Sequence, residues 1–141
     1  MSLDTAASLK VILDTNIIVS AIGYGGKPSN ILLLAFEGKI QAITSSVLLV
    51  ELQGVLIKKL LLPLEDLELT IEEIKDKFKL VRPRKILHVV KDEDDNRVLE
   101  AAVEGGCNFI ITGDKELLKL GKFKNIQILT ADAFLGKLSA S

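Results

Sequence analysis

The sequence predicts an α/β fold: a three-layer α/β/α sandwich around a mostly parallel sheet of about five strands. Three observations predict it. Short apolar runs alternate with longer segments whose apolar residues recur at helical spacing, the signature of βαβ units. The short runs carry no polar face, as strands covered by helices on both sides must not. The 141 residues are enough for one hydrophobic core and fit one domain.

The elements follow in chain order. Residues 1–8 are small and polar and are expected to be disordered. A single domain is expected over 9–138, with a loose end over 139–141. Strands are expected at Leu9–Leu13, Ile40–Ile43, Ile86–Val90, Phe109–Ile111 and Ile126–Leu129. The helix expected over Ser29–Glu37 stops at Gly38, a good residue for a helix end. Val47–Lys59 carries Leu48, Leu49, Leu52 and Leu56 on one stripe, behind the capping candidates Ser45 and Ser46. Leu64–Leu80 follows Pro63, with acids early and lysines late as the helix dipole prefers. Further helices are expected over Asp94–Glu104, Lys115–Leu120 and Ala131–Leu138.

Composition narrows the function classes. With 18 basic and 19 acidic residues the net charge is −1, so the basic excess of many nucleic-acid binders is missing. Cys107 is the one cysteine, which excludes an intramolecular disulfide and a cysteine-rich zinc site. His88 is the one histidine, which excludes paired-histidine metal motifs. The longest apolar run, Ile31–Phe36, is too short to span a bilayer, and the first residues lack a signal-peptide pattern. A cytoplasmic protein with no membrane partner is expected. His88 is read as a structural residue inside a strand, and Cys107 as a small buried hydrophobe. Gly23–Ser29 imitates a phosphate-binding loop but fails it, with Ala21 where the first glycine belongs and Pro28 after the lysine. It is read as a flexible loop.

Parallel sheets take their ligands beyond the carboxyl ends of the strands. Carboxylates stand there. Asp14 follows Val11-Ile12-Leu13, and Asp114 follows Ile110-Ile111-Thr112-Gly113. Asp92-Glu93-Asp94-Asp95 opens a helix, and Glu51 sits in an otherwise apolar helical stretch. Each acid alone has a plain reading. Asp114 is placed to cap a helix, Asp92 and Asp95 have the spacing of a capping box, and Glu51 suits a solvated face. Asp14 has nothing to cap unless Thr15–Ile22 is helical. Together they would repel one another unless a cation neutralises them. An all-oxygen donor set suits Mg²⁺ or Mn²⁺ rather than zinc.

These motifs, Asp14-Thr15-Asn16, Glu51 within Ser45-Ser46-Val47-Leu48-Leu49-Val50-Glu51-Leu52, Asp92-Glu93-Asp94-Asp95-Asn96 and Thr112-Gly113-Asp114-Lys115, resemble the PIN-domain family of metal-dependent nucleases. The resemblance runs from about Lys10 to Phe134 and is strongest to VapC-like toxins of type II toxin–antitoxin systems. It implies an endoribonuclease that hydrolyses RNA phosphodiesters with one or two Mg²⁺ or Mn²⁺ ions. Asp14, Glu51, Asp95 and Asp114 would be catalytic. Asp14, Asp95 and Asp114 would hold metal, and Glu51 would support them through water. Asn16, Thr112, Asp92 and Lys115 would orient ligand or substrate. An RNA substrate, an antitoxin protein and a homodimer are the partners implied. The alternatives are a PIN-like RNA-binding or RNA-processing protein that is no toxin, or a catalytically weak binding module. A dehalogenase-like phosphatase would want an acid where Asn16 stands. A receiver domain would want a lysine where Thr130-Ala131 stands.

Overall fold

A computed structural model describes residues 9–140. The expected disorder of 1–8 and the last residue of the expected loose end lie outside the described residues. The elements run β1 (Lys10–Leu13), α1 (Thr15–Tyr24), α2 (Gly26–Phe36), β2 (Gln41–Ser45), α3 (Ser46–Leu60), α4 (Leu64–Lys77), β3 (Lys79–Val81), α5 (Glu93–Glu104), β4 (Phe109–Ile111), α6 (Lys115–Leu120), β5 (Lys122–Phe123), β6 (Ile126–Leu129) and α7 (Ala131–Ser139).

The strands form one six-stranded sheet in the order β3-β2-β1-β4-β6-β5. Every pairing is parallel except β5 with β6. The sheet alternates its side chains between two cores. Val11 and Leu13 of β1 face a core built with α1, α2, α3, α4 and α7, while Ile12 faces one built with α5 and α6. Helices thus cover both faces, which is why β1 and β4 are almost continuously apolar. Phe134 of α7 is fully buried and meets Phe109 edge-on, 5.5 Å between ring centres, which docks the last helix on the sheet.

The chain winds outward from β1 to β2 and β3, then restarts at β4 on the other side. The direction of winding reverses between β1 and β4, and loops diverge there to leave a crevice at the carboxyl edge. Asp14 and Asp114 follow those two strands.

Four expectations need correction. Ile86–Val90 is not a strand. The third strand is Lys79–Val81, and the helix expected to reach Leu80 stops at Lys77, where Phe78 turns extended and buries its ring. Apolar character misled here, since Ile86 is 76% exposed. Second, residues 82–92 are held by side chains of α5 instead of a ladder. Glu104 Oε1 accepts from Arg84 N–H, Glu100 Oε2 from Leu87 N–H, and Asn96 Oδ1 from the N–H groups of Val89 and Val90. These three acceptors stand four residues apart, on one stripe of the helix. His88 is therefore exposed on an irregular segment, 3.7 Å from Glu93.

Third, Gly23–Ser29 is a tight corner and not a loose loop. Gly25 and Gly26 take φ of 75° and 71°, α2 starts at Gly26, and Lys27 pairs with Asp132 of α7. Fourth, a sixth strand is added. Lys124 and Asn125 both adopt positive φ, 48° and 70°, and close a two-residue hairpin between β5 and β6. At the other end of the chain, Ser139 still belongs to α7. Cys107 is buried as expected, and burial pushes its thiol up to about 12.

No single helix among the described residues is long and apolar enough to cross a membrane. The α1–α2 pair is apolar, but it bends by 104° and contributes to the core.

Asn96 is fully buried, and its Nδ2 also donates to the Val90 carbonyl at 2.8 Å. Asn96→Ala removes every side-chain tie to Val89 and Val90. It should cost about 2 kcal/mol in chemical denaturation and remove the hydrogen-exchange protection of those two amides. Unchanged protection would show that the segment holds its path without Asn96.

Candidate active site

Asp14 leaves the carboxyl end of β1, and its N–H donates to the Ile111 carbonyl at 2.9 Å, so it is registered against β4. It occupies the position before α1, which does begin at Thr15, but its side chain makes no cap. Instead Oδ2 accepts from the Thr112 hydroxyl at 2.6 Å. The residue is 7% exposed. Burial raises its pKa, opposed by the hydrogen bonds from Thr112 and the Thr15 N–H, and the charges of Asp114 and Asp92 raise it further.

Thr112 joins the two strand ends. It is fully buried, and its hydroxyl gives its proton to Asp14 while accepting from the Asp114 N–H at 3.0 Å. Asp114 then starts α6. One oxygen accepts from the Leu117 N–H at 3.0 Å, so the capping role is real. Capping uses one oxygen of the carboxylate, and Asp114 also stands opposite Asp95.

Asp95 lies in the first turn of α5. The capping of that helix falls to Asp92, whose Oδ1 accepts from the Asp94 N–H at 2.8 Å. The pair does not form a reciprocal capping box, because Asp95 turns inward. It is 6% exposed, and its Oδ2 is buried without a hydrogen-bond partner. Burial, the facing Asp114 carboxyl and the charges of Asp114, Asp92 and Asp14 push its pKa up to about 7. Glu51 is half-buried on the second turn of α3, a helix capped by Ser45. Burial and the nearby Asp94 charge raise its pKa, the Thr15 side chain lowers it, and Asp14 and Asp92 raise it again.

The structure thus brings Asp14, Asp95 and Asp114 into mutual electrostatic range, with Glu51 at the rim. None of the four makes an ion pair with Lys or Arg among the described residues. Thr112 is central and Asp92 is an exposed helix cap. Asn16, on the first turn of α1, and Lys115, opening α6, are exposed nearby. The lysines 115, 119, 122 and 124 are all exposed but are spread over α6, β5 and the hairpin turn, so they do not form one strip on a helix.

Sequence reasoning missed Thr15, Asp94 and Asn96. Thr15 touches both Asp14 and Glu51, and its place in Asp14-Thr15-Asn16 was a signal. Asn96 was visible only as the end of an acidic run.

The donors suit a hard divalent cation in kind. They are all oxygens, they lack counter-charges, and the orphaned Asp95 Oδ2 is a buried acceptor in want of a partner. As the side chains stand, no three acidic, histidine or cysteine groups among the described residues close into a ligand set. The cluster is a set of facing carboxylates, not a finished cage.

The proton balance fixes a pH dependence. An unfolded Asp releases its proton near pH 4, whereas folded Asp95 keeps it to about 7. Between those values the native state binds more protons, so stability falls as pH rises. Without divalent metal, the urea midpoint should be higher at pH 5 than at pH 8. Asp95→Asn should flatten that slope, and an unaltered slope would assign it to other groups.

Comparison with known proteins comes to the same place. The family model of the PIN domain matches residues 10–116, a span that contains all four acids. The chain is 37% identical over 117 residues to "Uncharacterized protein MJ1680" of Methanocaldococcus jannaschii, covering 79% of this chain and 75% of that protein. Among solved structures, it resembles VapBC2 from Rickettsia felis, solved bound to a DNA fragment from its promoter. The TM-score is 0.59 at 20% identity, over 85% of this chain and 97% of that one. It also resembles PAE2754 from Pyrobaculum aerophilum, with a TM-score of 0.59 at 16% identity, over 96% and 92% of the two chains. These two likenesses bear on the fold, whereas the family match and the archaeal relative bear on the sequence itself. The chain belongs to the PIN domain family.

Proposed function

We propose that this PIN-domain protein is a Mg²⁺- or Mn²⁺-dependent endoribonuclease, acting in the cytoplasm as the toxin of a toxin–antitoxin pair. The observation that carries the reading is the unpaired group of Asp14, Asp95 and Asp114 at the reversal point of the sheet. A nuclease must gather anionic donors where it will receive an anionic phosphate, and only a bound cation reconciles the two. The toxin assignment and the homodimer rest on the motif resemblance, together with a fold shared with VapBC2.

Asp14, Asp95 and Asp114 would hold one or two ions, with Glu51 supporting them through water. Such an ion would supply a water of lowered pKa and positive charge for the phosphoryl and leaving oxygens. The protein's own groups set the stage. The Thr112 hydroxyl holds Asp14 Oδ2 and so fixes the orientation of that carboxylate. The Leu117 N–H fixes Asp114 in one rotamer. Asp95, which burial and its acidic neighbours keep protonated to about pH 7, would have to give up that proton to serve as a ligand. Asn16 and Lys115, exposed at the starts of α1 and α6, would take phosphate oxygens. The one histidine, His88, is exposed beside Glu93 on the 82–92 segment, so no imidazole is assigned a role as base, which fits water activation by a cation.

Purified protein should cut single-stranded RNA in Mg²⁺ or Mn²⁺, and EDTA and Asp114→Asn should each abolish it. Cleavage that survives both would assign the activity to something else. Millimolar Mg²⁺ should raise the melting temperature at pH 8, where the carboxylates repel, and do so less at pH 5. Thr112→Val should weaken the metal-induced rise at least tenfold in metal concentration while Thr112→Ser keeps it. Equal behaviour of Val and Ser would remove the hydroxyl from the account.

A further inference from the structure

Residues 82–91 read Arg-Pro-Arg-Lys-Ile-Leu-His-Val-Val-Lys, four cations without an acid. The segment leaves β3 at the carboxyl edge and is tied along α5 by Glu104, Glu100 and Asn96, so its path is fixed although it belongs to no ladder. Those ties use backbone N–H groups, while Leu87 and Val90 pack inward against the core beside α5. Arg82, Lys85 and Lys91 are exposed, and no carboxylate among the described residues lies within ion-pair distance of them. Arg84 is paired with Glu104, whose charge Lys85 also feels, which leaves Arg82 and Lys91 as the cations farthest from compensation.

Arg82 also borders a pocket of about 270 Å³ between the start of α3, the end of β3 and α5. Ser46 and Val47 form one wall, and Pro83 and Arg97 form another. Arg97 is neutralised by Glu100 at 2.9 Å, which leaves Arg82 as the pocket's uncompensated charge. The position is telling. Val47 stands four residues before Glu51, one turn away on the same face of α3, about 6 Å along the axis. Lys91 directly precedes Asp92. The pocket thus lies one helical turn from Glu51, and the cationic segment ends next to the Asp92 cap. A pocket with one apolar side, hydroxyls and a single cation suits an unstacked nucleotide, and a row of cations beyond it suits the phosphates that follow.

We infer that Arg82–Lys91 is a track for single-stranded RNA, which seats the nucleotide beside the scissile phosphate in the Val47–Pro83 pocket. Arg82 and Lys91 hold the neighbouring phosphates, and Lys85 reaches one further along. This rests on the ribonuclease reading and adds the side from which the strand enters. The track also accounts for nucleic-acid binding by a chain with no net basic charge, because its cations are concentrated on one segment.

The test uses the full chain with Asp114→Asn, so that RNA is bound and not cut. Binding of a fluorescent twelve-nucleotide single-stranded RNA is followed by anisotropy in Mg²⁺ over a salt series. Adding Arg82→Ala and Lys91→Ala should weaken binding at least tenfold. It should also reduce the slope of log affinity against log salt by about 1.4, the value for two phosphate contacts on a single strand. Lys39→Ala with Lys77→Ala, before β2 and β3 at the opposite edge of the sheet, should leave both quantities at the parent's values. If the parent binds and the Arg82/Lys91 variant matches it in affinity and slope, the track is overturned and the ribonuclease reading stands. A parent that binds no RNA overturns both. A glutamate peptide of equal charge that competes as well as unlabelled RNA overturns the nucleic-acid assignment in favour of an acidic protein partner. Competition by single-stranded DNA as strong as by RNA supports phosphate recognition, and weaker competition supports contacts to the ribose as well.

Discussion

One buried hydroxyl holds the site together. Thr112 gives its proton to Asp14 and receives one from the Asp114 backbone, and so ties the ends of β1 and β4 across the point where the sheet reverses direction. The parallel register of Leu13 with Ile111 brings the strand ends level. The hydroxyl then converts that alignment into a fixed relation between two carboxylates. Everything else is arranged around this pair. α1 and α6 start from it, and α5 lays Asp95 over it. A valine at position 112 would fill the same space, but it would leave Asp14 without the donor that makes its buried charge tolerable.

The arrangement carries a standing cost. Three acids are kept close in a place with little water, and Asp95 holds its proton to about pH 7 because neither solvent nor a cationic side chain comes to its aid. The hydrophobic cores on both sheet faces absorb that cost, as active sites commonly require of their scaffolds. It also bears on the near-zero net charge. Acids gathered into one small cluster count in that total against basic residues that lie elsewhere.

The sequence made the architecture legible where one signal dominated. β1 and β4 are almost continuously apolar, so their place in a doubly covered sheet was readable, and with it the position of Asp14 and Asp114. Glu51 and Asp95 were readable only jointly, since either alone has the pattern of an ordinary helix acid. The third strand was not legible. Lys79-Leu80-Val81 is too short to show alternation, while Ile86–Val90 has the composition of a strand without a ladder to join. The deciding contacts there are long-range side-chain acceptors on α5, and no local pattern announces them. For the same reason Thr112 was visible as a neighbour of Asp114, but not as the donor to a residue 98 positions away.

Both margins of the sheet are blunt. On one side β3 offers three residues, with exposed Lys79 at its start and Pro83 soon after its end. On the other, β5 is a two-residue strand folded back by a tight turn. Short, charged or proline-flanked margins give an incoming strand almost nothing to pair with. Neither margin therefore offers much edge for extending the sheet into another chain. The helical surface offers more to a neighbour, since apolar side chains of α3 such as Val50 and Ile57 meet solvent there.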